Sequence, residues 1–297
     1  MQTKKKVFLI WDLDGAIGQI NSSLPYNFNY RTLEAELENV RYALGKLDEY
    51  QIKACFAVTG FSAEEGKYPY VFPELIHEIS SRGHEIASHS WRHEWTPVFS
   101  RKQIRLSLER SKSALEKCTA NGNSVVGFVP PHNRPMTWLR KGAFSLGDRG
   151  LYPFFQMGDA SQLVKELRSA GYAWVRVTYQ SVIQKIRLRA RNITGRVYRH
   201  NGIWVFENHF TGFDEQVISH IRNTEFPTYT VSAHPLMLSL KDKTESKENF
   251  QRFLDAVAVQ PNSVEFVTPG SILRSGHSFQ SESGERKAQE LGEIVDI

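Results

Sequence analysis

Short apolar runs alternate with amphipathic stretches along most of this chain, and that alternation constrains the fold more than any other feature. KVFLIWD, ACFAVTG, HEIAS, SVVGFV, AWVRVTY, GIWVFE, TYTVSA and SVEFVT are brief and mostly apolar, as buried strands are. Between the first two, Leu33, Leu37, Val40, Leu44 and Leu47 make one helical stripe. Pro73 suits a first helical turn ahead of Leu75, Ile76 and Ile79, with Gly83 as the stop. Ser100 and Gln103 read as a capping box opening a helix that runs through Ala120. Asp159 is placed to cap a helix carrying Leu163 and Leu167, and further helices are expected after Gly212 and after Ser246. Strands alternating with helices predict crossover units and a mainly parallel sheet. Seven to eight such strands favour a single α/β barrel over an open sheet, and 297 residues suit one. The barrel is expected over 1–274, with the polar, aperiodic stretch 275–297 as a C-terminal tail.

Composition mainly excludes. With 40% apolar and 23% charged residues the chain is neither disordered nor fibrous. No apolar run approaches the roughly 18 residues of a spanning helix, so no transmembrane segment is expected. MQTKKK is followed by only VFLIW before Asp12, too short for a secretory signal, which predicts a cytoplasmic location; a membrane-proximal one would follow from a lipid-linked substrate met by the arginine-rich segment Arg187 to Arg199. Two cysteines rule out a disulfide framework; Cys55 reads as a buried strand thiol, and Cys118 falls near a helix end. A net charge of +5 is small for this size, so nucleic acid is not an expected partner. The basic residues that cluster from Arg187 to Arg199 are either a solvated face or an anion-binding surface.

In α/β sheets and barrels, chemistry collects where strands end. Four polar clusters fall there: Asp12 and Asp14 in WDLDG, His89 and His93 in HSWRHEW, the segment PPHNRP, and His234 after TYTVSA. His89 and His93, four residues apart on a helix or tight turn, can grip one metal ion, and Asp14 can complete a two-histidine, one-carboxylate set with open positions. Asp12 and Asp14 point to the same side of an extended strand, which puts Asp12 within reach as a general base. Trp91 and Trp95 are either core residues or flat faces for a sugar. Glu207 and His209 are further rim candidates, while His77 and His84 read as structural. A rival reading takes FLIWDLDGAI as the opening motif of a haloacid dehalogenase-type phosphatase with Asp12 as nucleophile, but no late acidic pair accompanies it.

ACFAVTG followed by LIHEISSRGHEIASHSWRHE resembles the polysaccharide deacetylase superfamily, carbohydrate esterase family 4, which includes chitooligosaccharide and peptidoglycan deacetylases. HSWRH matches that family's H-S/T-x-x-H segment, and the likeness extends from about Lys6 to about Pro235. The resemblance implies a distorted (β/α) barrel and a divalent metal, zinc by expectation, held by Asp14, His89 and His93. It also implies that His234 is the general acid. The sequence departs from the family in two places. Leu13 stands where an adjacent aspartate is usual, so Asp12, in an Asp-x-Asp form, becomes the base by inference. Phe128 and Val129 stand where an arginine is usual, so Pro131, His132, Asn133 and Arg134, with Trp95, are the expected substrate contacts.

The activity so implied is hydrolysis of an N-acyl group, such as acetyl, from an amino sugar by metal-activated water. The substrate is expected in a cell-envelope polysaccharide or in its lipid- or nucleotide-linked precursor. A non-catalytic carbohydrate-binding relative is the alternative that both departures favour.

Overall fold

The computed structural model describes residues 4–22, 30–65, 71–94, 99–131, 143–145, 152–154, 160–177, 197–207, 210–223, 226–241, 243–259 and 263–275. Each of the eight apolar runs contains a strand. In chain order the strands are β1 (Lys5–Leu13), β2 (Cys55–Val58), β3 (Glu85–Ser88), β4 (Gly127–Phe128), β5 (Ala143–Ser145), β6 (Tyr152–Phe154), β7 (Trp174–Val177), β8 (Val197–His200), β9 (Ile203–Glu207), β10 (Phe210–Thr211), β11 (Thr228–Ala233) and β12 (Val264–Phe266).

The main sheet runs β10-β11-β1-β2-β3-β4-β7-β9-β8, with β12 beside β1, while β5 and β6 pair only with each other. Every pairing in the main sheet is parallel except β8 with β9. One stretch of chain draws the two ends of the sheet together. β9 pairs with β7, setting Val205 opposite Val175, and β10 then pairs with β11, setting Phe210 opposite Val231. The sheet therefore curls into the expected distorted barrel of mostly parallel strands.

Alternation along the strands sorts two cores. Val7, Leu9, Trp11 and Leu13 of β1 face the surrounding helices, whereas Phe8 and Ile10 face the lumen with Cys55, Ala57, Ala87, Trp174 and Phe206. The lumen is thus packed with side chains. Gly127 is required there, because a Cβ at that position would lie 2.1 Å from the Trp174 indole. At the amino end, Glu85 accepts from Trp174 Nε1 and from the Gly270 N–H, both at 2.8 Å.

The helices are α1 (Gly15–Ser22), α2 (Tyr30–Glu49), α3 (Gly60–Glu65), α4 (Val71–Ser81), α5 (Arg101–Cys118), α6 (Ala160–Ser169), α7 (Glu215–Asn223), α8 (Lys247–Phe253) and α9 (Pro269–Arg274). α2 buries the whole predicted stripe from Leu33 to Leu47. Both arms of the Ser100–Gln103 capping box form at the start of α5, and Ser246 caps α8. α1 was not anticipated: GAIGQINS carries two glycines and no clear apolar stripe. β8 was missed as well, since it occupies the end of the basic segment and pairs antiparallel on the sheet edge. Residues 276–297 of the expected tail lie outside the described residues, as do 187–196 of the basic segment.

Candidate active site

Because the strands are parallel, the carboxyl ends of β1, β3, β4, β7 and β11 share one rim. Asp12 is the next lumen-facing position after Phe8 and Ile10, and it is 2% exposed. Asp14 follows the last residue of β1. Its carbonyl accepts from Thr59 Oγ1, at the end of β2, and from the Gly18 N–H of α1. Gly18 has to lack a side chain, since a Cβ there would lie 2.5 Å from Asp14 Cβ and 3.4 Å from a ring carbon of His93.

Asp14 Oδ1 lies 3.3 Å from His89 Nε2 and 3.4 Å from His93 Nε2. Among the described residues these three side chains form a cluster whose ligand atoms all lie within 4.8 Å of one another. Their fit to a divalent ion rests on two observations. Asp14 Oδ1 is buried and no hydrogen-bond donor is aligned with it, while both imidazole Nε2 atoms point to it at 3.3 and 3.4 Å. His89 Nδ1 lies 2.8 Å from the Val129 carbonyl, which can only accept. Nδ1 therefore carries the proton, and in the neutral ring Nε2 presents its lone pair towards Asp14, as in many metal-ligating histidines. Burial pushes the Asp14 carboxyl up, but in the metal-free chain His93 and His89, when protonated, outweigh this and hold it well below the usual carboxylate value.

The histidines are not on a helix. His89 leaves β3 and the chain turns at once, with Ser90 at φ 65° and His93 at φ 58°. Two non-glycine residues in the left-handed region are unusual and costly. They bring His93 back beside His89, with ring centroids 4.9 Å apart.

Beside this cluster Asp12 meets Arg176, a residue the sequence reading passed over. Both guanidinium Nη atoms grip Asp12, Nη1 to Oδ1 at 2.8 Å and Nη2 to Oδ2 at 2.5 Å, and the Arg176 side chain is fully buried. Arg176 follows Trp174 on the lumen face of β7. Arg176 thus sets a guanidinium on the strand next to β4, and a charge inside AWVRVTY was the available signal. Burial raises the Asp12 carboxyl, while Arg176, His89 and His234 together bring it below its ordinary value.

His234 follows β11 with Nε2 3.8 Å from Asp12 Oδ2. Glu245 accepts from both the His234 backbone N–H and ring Nδ1, the latter at 3.0 Å. Burial disfavours the charged ring, but Glu245, Asp12 and Asp14 dominate and raise His234 to about 10, so it carries its proton at neutral pH. No sequence signal marks Glu245, which lies in the polar run KDKTESKENF.

Pro131 lies buried just past β4. Trp95, His132, Asn133, Arg134 and His209 lie outside the described residues, and Glu207 ends β9 half-buried. Trp91 is a core residue: it is 4% exposed, packs edge-on to Phe61 and lies under the Arg110 guanidinium. His84 lies at the opposite end of β3, where Nδ1 accepts from the Ala54 N–H.

The sequence pattern of the polysaccharide deacetylase family matches residues 23–149, a span that includes HSWRH but not Asp12, Asp14 or His234. No curated protein matches the sequence. Among solved structures, a Mycobacterium smegmatis protein named as a polysaccharide deacetylase is similar over 92% of this chain and 90% of its own, with a TM-score of 0.61 and 16% identity. A mutant of a Bacillus anthracis CE4 family pseudoenzyme gives 0.51 over 91% and 67%, at 14% identity. A 4-alpha-glucanotransferase of Thermococcus litoralis gives 0.59 over 94% of this chain and 41% of its own, also at 14%. At these identities the structures speak to the fold alone. The expected likeness holds: residues 23–149 match the sequence pattern of the polysaccharide deacetylase family, and the chain folds into a barrel like that of the Mycobacterium smegmatis protein.

Proposed function

We propose that this protein is a metal-dependent hydrolase that removes an N-acyl group, acetyl in the simplest case, from an amino sugar. The observation that carries the reading is the convergence of Asp14 Oδ1, His89 Nε2 and His93 Nε2 on one buried point. Two imidazoles and a carboxylate suit zinc, which when bound would lower the pKa of water and polarise an acyl carbonyl. Asp12 takes the proton of the attacking water. Its anionic form is favoured by Arg176, and each carboxylate oxygen keeps a lone pair beyond its bond to the guanidinium. His234, held protonated by Glu245, delivers a proton to the departing nitrogen. Amide and water thereby become a free amine and a carboxylic acid.

The test is acetate release from an N-acetylated oligosaccharide, and from a nucleotide-linked N-acetyl sugar, together with the metal content of the purified chain. Wild type is expected to hold about one divalent ion and to turn over at least one of the two. His89→Ala should lose the metal and at least about a hundredfold in turnover, since even outer partners of a ligand cost 10- to 100-fold. A metal-free wild type, or a fully active His89→Ala, overturns the reading.

One observation favours a second reading, a carbohydrate binder without turnover: both Asp12 oxygens are already bonded to Arg176. Turnover that disappears in Asp12→Asn excludes it. The phosphatase reading gains nothing, because it gives the cluster of Asp14, His89 and His93 no work to do.

A further inference from the structure

The turn that carries both histidines has no ladder of its own, so its backbone groups have to be satisfied from elsewhere. The partners come from the turn itself, from α3 and from two side chains of α5, a helix that contributes nothing to the metal cluster. Ser107 Oγ accepts the Trp91 N–H at 3.0 Å and donates to Glu94 Oε2 at 3.1 Å. Glu94 Oε2 also accepts the Arg92 N–H at 2.8 Å, and the Glu94 N–H returns to Ser90 Oγ at 3.1 Å. One turn further along α5, Ser111 Oγ donates to the Ser90 carbonyl at 2.9 Å. A hydroxyl has one proton, so the 2.7 Å contact between Ser111 Oγ and Ser88 Oγ is donated by Ser88. The start of α3 closes the cradle, with the Gly60 N–H on the Ser90 carbonyl at 2.9 Å and the Phe61 N–H on the Trp91 carbonyl at 2.7 Å.

Ser107 and Ser111 are four residues apart and so occupy one face of α5. Serine in mid-helix commonly bonds back to its own helix; here both hydroxyls bond to the turn instead. The contacts bracket Ser90 and end one residue past His93, the two positions held in the left-handed region. A backbone held there persists only where its surroundings over-determine it.

We propose that Ser107 and Ser111 of α5 are positioning residues for the metal site: they hold the His89–His93 turn in its strained shape and thereby set metal affinity from outside the cluster. This rests on the reading of Asp14, His89 and His93 as metal ligands.

The experiment titrates cobalt(II) into the full-length protein. It follows the visible absorption of the bound ion and, separately, the thermal midpoint of the metal-free chain, for wild type, Ser107→Ala, Ser111→Ala, Ser107→Thr and Ser113→Ala. Each alanine at 107 or 111 should weaken cobalt binding by about tenfold and alter the absorption band. Ser107→Thr, which keeps the hydroxyl, should return affinity to near the wild-type value, and Ser113→Ala, on the exposed side of the same helix, should not change it. If wild type binds cobalt and both alanine variants bind it within twofold with an unaltered band, the proposal is overturned while the metal reading stands. A wild type that binds no cobalt overturns both. Should Ser111→Ala not fold, Ser107→Ala against Ser107→Thr decides the matter alone.

Discussion

The two ends of the barrel each bury a carboxylate, and they treat it in opposite ways. At the amino end Glu85 is met by the Trp174 indole N–H and the Gly270 N–H, so its oxygens have donors of fixed geometry. At the carboxyl rim Asp14 Oδ1 faces two imidazole nitrogens at 3.3 and 3.4 Å, with no donor aligned on it. A satisfied buried acid holds a fold together, whereas an unsatisfied one facing electron-pair donors waits for a cation. Two histidines repeat the contrast. Burial lowers His84, at the amino end, to about 4, while carboxylates raise His234, at the rim, to about 10.

The sharpest way to break this contrast is Arg176→Met, which leaves Asp12 charged and unpaired in the lumen. It should cost about 3–5 kcal/mol of stability, read by chemical denaturation, because removing one partner of a buried pair strands the other. A loss below about 1 kcal/mol would mean that Asp12 is better solvated than its burial indicates.

The histidines separate by pH. Between pH 6.5 and about 4 the unfolded chain protonates at His84 and the folded chain does not, so stability falls as acid is added through that window, by up to about 3 kcal/mol. His84→Leu should flatten that limb. His234 has the opposite sign in the metal-free chain: its contribution is complete below pH 6.5 and is lost as pH rises through about 10. Denaturation midpoints across pH, with and without His84→Leu, test both limbs.

The finest comparison uses two glycines. A Cβ at Gly18 would strike Asp14, and one at Gly270 would strike Glu85 Oε1, each at 2.5 Å. Gly18→Ala should weaken metal binding by about tenfold with a modest change in melting temperature. Gly270→Ala should cost about 1–3 kcal/mol of stability and leave metal affinity unchanged. Equal metal loss in both variants would erase the distinction between the ends.

The strands were legible because burial on both sheet faces leaves continuous apolar runs, and the metal cluster because His89 and His93 are close in sequence and sit past a strand. What stayed hidden depends on partners brought from afar. Arg176 reaches Asp12 across 164 positions, and its charge lay inside an apolar strand read only for its hydrophobicity. Glu245 sits in a run of charges where no spacing distinguishes it. The turn at Ser90 and His93 contradicts the helical geometry that an i, i+4 pair suggests, because left-handed serine and histidine have no sequence mark comparable to glycine.

β1 carries Asp12, leads directly into Asp14 and is paired along most of its length. β11 lies along one edge from Lys6 to Trp11; on the other, β12 covers Lys5 to Val7 and β2 covers Ile10 to Leu13. Amide hydrogens on such a strand exchange with solvent only when the whole sheet opens. Asp12 is therefore anchored on a segment whose amides should exchange slowly, while the histidines opposite it hang on a turn held mainly by side chains. Local fluctuations that open the site should thus release His93 first and leave the aspartate side standing.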